Sequence, residues 1–219
     1  MKAITAALLL ILSTTAFAQA PTPEQIAEWR TAADKGEAWA QSNLGQMYDR
    51  GDGVPQDSAV AMKWWTKAAE QGYAKAQYNL ALMYADGEGV PKDNATAVKW
   101  YTKAAEQGYA DAQLNLGLMY DNGLGVPQDD ATAVKWYTKA AEQGVASAQE
   151  NLAFMYAKGE GVPQDNVMAY MWWNLAAAQG DENAKENKGK LQDSMTSAQI
   201  EQAQTLSREC LAKDYKDCG

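Results

Sequence analysis

Glycine recurs at positions 36, 72, 108, 144 and 180, a constant step of 36 residues. Residues 32–67, 68–103, 104–139 and 140–175 align as four gapless copies; seventeen of the 36 columns are identical in all four, and the second and third copies agree at 28. A unit this short cannot bury its apolar face alone. Copies repeating at this period must stack, each against its neighbours, into a solenoid with one continuous core.

Each copy reads as two helices. In the second copy, residues 73–86 place Ala76, Leu80, Met83 and Tyr84 on one stripe at helical spacing. Gly87 ends that helix, because glycine accepts the left-handed conformation of the position after a C-cap. Pro91 bars helix in the connection and pushes Val90 extended. Asp93 is placed to cap the second helix, residues 94–107, which buries Ala97, Trp100, Tyr101 and Ala104 and turns Lys99, Lys103 and Glu106 outward. Large side chains recur in columns, Trp64, Trp100, Trp136 and Trp172 in one and Met47, Met83, Met119 and Met155 in another. Both read as core ladders rather than cofactor or stacking sites.

The run AAEQGYAKAQYNLALMYADGEGVPKDNATAVKWYTK resembles the Sel-one-like repeat, a relative of the tetratricopeptide repeat with a slightly longer unit. The resemblance covers residues 32–175 and extends weakly to Gly180 through YMWWNLAAAQG. It implies an all-α fold, a right-handed α/α superhelical solenoid of helix-turn-helix repeats. It also implies a role in protein–protein contacts. Exported bacterial members of the family are often adaptors, or act at the cell envelope and with hosts.

The flanks read differently from the repeats. Lys2, the apolar run 6–12 and Ala16-Phe17-Ala18 are the positive start, hydrophobic core and cleavage pattern of a secretory signal peptide over residues 1–18. Cleavage there leaves 201 residues, expected in the periplasm or outside the cell, monomeric and without stable membrane insertion. Residues 19–31 form an N-terminal capping helix opened by the box Thr22-Pro23-Glu24-Gln25. Residues 176–219 degenerate into capping helices; Thr196 and Gln199 open the last one with a second box. Cys210 and Cys218, a C-x7-C pair, would meet an oxidising compartment, where a local disulfide is expected.

Little chemistry is available. The chain contains no histidine, which removes the serine and cysteine triads, the HExxH zinc helix and the usual general base. With 19 basic against 28 acidic residues the net charge is −9, so a phosphate backbone is repelled and nucleic acid is not an expected partner. Some cysteine-rich relatives are described as β-lactamases or penicillin binders, but S-x-x-K, S-D-N and K-T-G are all absent here. The glycine loops at 51, 87, 123 and 159 follow helices and lack the G-K-[ST] ending of a phosphate cradle. Asp49 to Val60 begins like a calcium loop but has valine where the bidentate glutamate belongs. No metal and no cofactor is expected.

What remains is a surface. On the first helix of each unit, one column away from the core stripe holds Ser42, Tyr78, Leu114 and Glu150, and another holds Gln46, Leu82, Leu118 and Phe154. Beside them runs an invariant polar column, Asn43, Asn79, Asn115 and Asn151. An asparagine ladder on a concave face would bracket the backbone of an extended peptide, with pockets at the apolar outward positions. The same residues would equally serve as packing against the next unit. Gln41, Gln77, Gln113 and Gln149, nearer the core, read as structural. The expected function is thus an exported, non-enzymatic scaffold that binds a protein or extended peptide in its groove. The alternative is a cell-envelope enzyme of β-lactamase or penicillin-binding type.

Overall fold

In a computed structural model describing residues 20–218, the chain is built from eleven helices and, among the described residues, no strand. The signal peptide expected over residues 1–18 lies outside the described residues. Helix α1 (Pro23–Asp34) precedes four helical hairpins: α2 (Ala38–Arg50) with α3 (Ser58–Glu70), α4 (Ala74–Asp86) with α5 (Asn94–Glu106), α6 (Ala110–Asp121) with α7 (Asp130–Ala141), and α8 (Ala146–Lys158) with α9 (Asn166–Ala178). Helices α10 (Glu182–Gln192) and α11 (Ser197–Ala212) follow, and both pack on α9. Each second helix also packs against the first helix of the next unit, which makes the array an α/α solenoid.

The local devices repeat with the sequence. Thr22 with Gln25 and Thr196 with Gln199 form reciprocal capping boxes at the starts of α1 and α11. Asp57, Asp93, Asp129 and Asp165 cap the second helices through their carboxylates. Their backbone N–H groups donate to the carbonyls of Tyr48, Tyr84, Tyr120 and Tyr156 at 2.8–3.0 Å, tying each loop back to the helix it left. Stacking of the units needs glycine at one loop position. A Cβ on Gly125 would lie 2.4 Å from the backbone of Asn94, and one on Gly161 equally close to Asp130; both have positive φ.

The core runs as four abutting clusters, one for each hairpin junction. The methionine column is buried throughout: Met47, Met83, Met119 and Met155 are at most 5% exposed. The tryptophan column departs from expectation at its N-terminal end. Trp64 and Trp100 are half-buried, whereas Trp136 and Trp172 are buried. Lys67, Lys103 and Lys139 place their ammonium groups over the first three rings at 4.1–4.7 Å, so one side of each indole meets a lysine while the other packs on the core. Trp172 has no such lysine and is enclosed once α10 and α11 close over α9.

The deeper aromatic column is the next one along: Trp65, Tyr101, Tyr137 and Trp173, all at most 4% exposed. These rings lie flat on the facing first helix, which carries glycine or alanine there. A Cβ on Gly45 would fall 2.5 Å from Trp65, and one on Gly117 2.6 Å from Tyr137. Trp65 comes close enough to donate its indole N–H to the Ser42 carbonyl at 3.1 Å. Trp173 faces Ala153 at the corresponding position, and its indole N–H finds no partner.

At the C-terminal end Cys210 and Cys218 form a disulfide. It closes the segment after α11, whose Tyr215 ring covers Gly144 in the corner before α8.

Candidate functional site

The glutamine column is structural in every unit. Gln41, Gln77, Gln113 and Gln149 are at most 5% exposed. Their amides donate to the carbonyls of Ala33, Ala69, Ala105 and Ala141 at 3.0–3.3 Å. Their oxygens accept from Gln71, Gln107, Gln143 and Gln179 at 2.7–2.9 Å. Each therefore clamps the end of the preceding second helix and the end of its own hairpin partner, satisfying groups that a helix terminus leaves open.

The asparagine column, two residues along the same helices, is half-buried at all four positions. Among the described residues Asn43, Asn79 and Asn151 make no such side-chain bond. Asn43 lines a cleft of about 240 Å³ between α1 and α2, with Trp29, Gln46 and Arg50. Asn79 lines a second cleft, of about 370 Å³, between α2 and α4. The two clefts share Gln46 and Arg50, so they adjoin along one face of the first helices.

The second cleft brings together four of the outward-column and asparagine residues singled out from sequence, Gln46, Tyr78, Asn79 and Leu82. Asn43 lies in the first cleft on α2, and the remaining apolar positions are strung along α6 and α8. Leu114 and Leu118 are half-buried against the core shared by the third and fourth units. Phe154 is 37% exposed, its ring edge-on to Trp173 at 5.7 Å, with Lys158 over its face at 5.1 Å.

One column has a different place from the helical-wheel reading. Ser42, expected to face outward, is 1% exposed, covered by the Trp65 indole bonded to its own carbonyl. Tyr78, in the same column, packs tilted against Tyr109 at 5.1 Å and against Tyr101 at 5.9 Å between ring centroids. Burial, followed by the charge of Asp111, pushes the Tyr78 hydroxyl up from its usual range, against an opposing hydrogen bond from Asn115. Glu150, in the fourth unit, is likewise pushed up by burial and by Asp181 at the start of α10. This column is the seam between units, and Tyr78 serves both the seam and the cleft wall.

Sequence reasoning missed the charged lining of the second cleft. Asp49, Arg50 and Lys75 enter it from α2 and α4, and Asp86 and Glu88 from the end of α4. Burial pushes the Asp49 carboxyl above its ordinary value, as does Glu88, while Arg50 opposes. Among the described residues no group of three His, Cys, Asp or Glu is arranged to hold a metal ion, and no helix is long and apolar enough to cross a membrane.

A family model described as Sel1 repeat matches residues 40–73, 74–109, 110–145 and 146–181. The chain is similar to a Sel1 repeat protein from Oxalobacter formigenes, with 36% identity and a TM-score of 0.72 over 76% of this chain and 69% of that one. It is also similar to c5321, a protective antigen present in uropathogenic Escherichia coli strains displaying an SLR fold. That match has 31% identity and a TM-score of 0.56, covering 89% of this chain but 50% of the other. The immunity protein Pa5087 from Pseudomonas aeruginosa shares the fold at 19% identity, with a TM-score of 0.50 over 92% of this chain and 79% of that one. No curated protein matches the chain.

Proposed function

Because the chain belongs to the Sel1 repeat family, whose members are generally protein-interaction scaffolds, we propose that it is an exported, non-enzymatic adaptor. It holds a protein or an extended peptide along its first-helix face. One observation carries this reading. The second and third units differ at eight columns, and all eight lie between Lys75 and Asn94 in one unit and between Asp111 and Asp130 in the other. Those stretches are the first helix, the loop after it and the first residue of the second helix. The rest of the second helix is unchanged. One of the eight, Ala81 against Gly117, is buried in the hairpin; divergence otherwise concentrated on the first helix and its loop, over a constant second helix, supports recognition of a non-repeating partner.

The binding residues follow from that face. Asn43, Asn79, Asn115 and Asn151 supply amides that both donate to and accept from a partner backbone. Tyr78, Leu82, Leu114, Leu118 and Phe154 supply apolar contact beside them. Export to an oxidising compartment rests on the leader pattern of residues 1–18 and agrees with the Cys210–Cys218 disulfide.

The test is crosslinking of the mature chain in its native envelope, with the sites mapped by mass spectrometry. Links to a captured protein should fall on α2, α4, α6 and α8. Links confined to the second helices would contradict the assignment. A chromogenic β-lactam tests the non-enzymatic half, and turnover above buffer would overturn it.

A further inference from the structure

The groove mixes charge and apolar surface along its length. At the α2–α4 end Gln46, Asp49 and Lys75 lie beside Tyr78 and Leu82; along α6 and α8 Leu114, Leu118 and Phe154 share the first helices with Asp111, Asp121 and Glu150. The α2–α4 end is a cleft with an excess of acid. Asp49 comes from one unit, Asp86 and Glu88 from the next, and all three line the same 370 Å³ space. Among the described residues none of them forms an ion pair. The ion pairs of the described residues are Lys158–Glu160, Lys185–Glu182 and Lys190–Glu186, all elsewhere.

The two cations in the cleft do not change this. Lys75 gives its ammonium to the Gln46 side-chain oxygen at 2.9 Å, and Arg50 makes no ion pair with a described carboxylate. Burial is the main cause that raises the Asp49 carboxyl; Glu88 adds to it and Arg50 opposes. A carboxylate that is partly desolvated beside a like charge is stabilised by any cation that enters. The lining beside them includes Tyr78 and Tyr109, two rings tilted against each other at 5.1 Å, and aromatic rings of this kind attract a cation. The carboxylates are not clustered tightly enough for a metal among the described residues, so the complementary charge is one carried on a long side chain.

Resting on the groove reading above, we propose that the α2–α4 cleft receives a lysine or arginine side chain of an extended partner segment, whose neighbouring apolar residues lie along α6 and α8. The partner class is thus a segment combining a basic anchor with apolar positions, rather than an acidic or a uniformly apolar peptide.

The experiment uses the mature chain immobilised against nine-residue acetylated peptide libraries, each with its central position fixed as Lys, Arg, Gln, Glu or Leu. The Lys and Arg libraries should be retained at least tenfold over Gln and Glu. That preference should fall within twofold in an Asp49→Asn/Glu88→Gln variant of unchanged helicity and melting temperature, while the Leu library is still retained. Retention of the Leu library with no preference for a basic centre overturns the basic anchor and leaves the groove standing. Preference for Glu overturns it too and identifies Arg50 as the reader. If no library is retained above a blank column, the groove reading fails and the anchor fails with it. Should the double variant unfold, Asp86→Asn alone decides: an unchanged basic preference overturns the proposal, and its loss supports it.

Discussion

Gln113 and Asn115 sit two residues apart on α6, and both recur in every unit. Gln113 is 4% exposed, donates to the Ala105 carbonyl at 3.0 Å and accepts from Gln143 at 2.7 Å. Asn115 is half-buried and turned toward the Tyr78 hydroxyl at the seam. Its counterpart Asn79 lines an open cleft and makes no such bond to another described residue. Repetition of a polar residue thus has two sources in one helix. One column holds the hairpins together; the other leaves its hydrogen-bonding capacity at the surface. A repeated amide is structural when its geometry is closed and available for recognition when it is not.

Breaking the closed column should have the largest effect. Replacing Gln77 and Gln113 together with alanine removes four hydrogen bonds that link helix ends, leaving the Ala69 and Ala105 carbonyls only their backbone bonds from Gly72 and Gly108. At about 0.5–1.5 kcal/mol for each hydrogen bond lost, the melting temperature should fall by about 5–20 °C. Thermal unfolding followed by circular dichroism measures this; an unchanged midpoint would mean the clamps are dispensable.

Next comes the C-terminal staple. Cys210→Ser/Cys218→Ser should destabilise the chain by about 2–3 kcal/mol, as expected for so short a closed loop. Hydrogen exchange should place the loss on α11 and the α7–α8 corner that Tyr215 covers, not on the first two units. Thiol titration of protein made in an oxidising compartment should find no free thiol. Two freely reacting thiols in the native state would remove the staple from the account.

Asp49 sharpens the comparison at smaller scale and with a sign. Its folded carboxyl is held above the unfolded value by burial and by Glu88, so the folded state holds the proton more tightly. Its ionised form therefore costs stability, and this penalty disappears as pH falls through the raised value. Asp93 and Asp129 do the reverse. Hydrogen bonds from Thr96 and Thr132 hold them below the usual range, so their contribution is present above the unfolded value and is lost as pH falls. Asp49→Asn should leave the melting temperature at pH 7 the same or slightly higher, whereas Asp93→Asn should lower it. A clear fall for Asp49→Asn would make Asp49 structural and close the distinction.

Much of this architecture was legible because the repeat multiplies every signal by four. The Met column, the aspartate caps, the capping boxes and the glutamine column all follow from periodicity and local chemistry that need no knowledge of neighbours. The misreadings arise where neighbours matter. A wheel drawn for one helix places Ser42 outward, but the Trp65 indole of the partner helix lies over it. It gives adjacent aromatic columns similar weight, so Trp64 and Trp100 read as deep as Trp65 and Tyr101, although the former stay half-buried with a lysine ammonium over each ring. The enclosure of Trp172 depends on α10 and α11 both folding onto α9, which no column predicts. The acidic cleft was missed because Asp49 comes from one unit and Asp86 and Glu88 from the next, so no single motif contains them.

The measurement that bears most directly on the central claim pairs affinity with stability in Asn79→Ala/Asn115→Ala. Affinity is read against the best-retained library peptide by fluorescence anisotropy, and stability by thermal unfolding. The account predicts at least a tenfold loss of affinity with a melting temperature within about 4 °C of the parent, since Asn79 makes no closed bond and Asn115 gives up only its half-buried bond to the Tyr78 hydroxyl. A fall of many degrees would show that these asparagines hold the units together as the glutamines do. Affinity and stability both unchanged would show that the partner does not bind along this column.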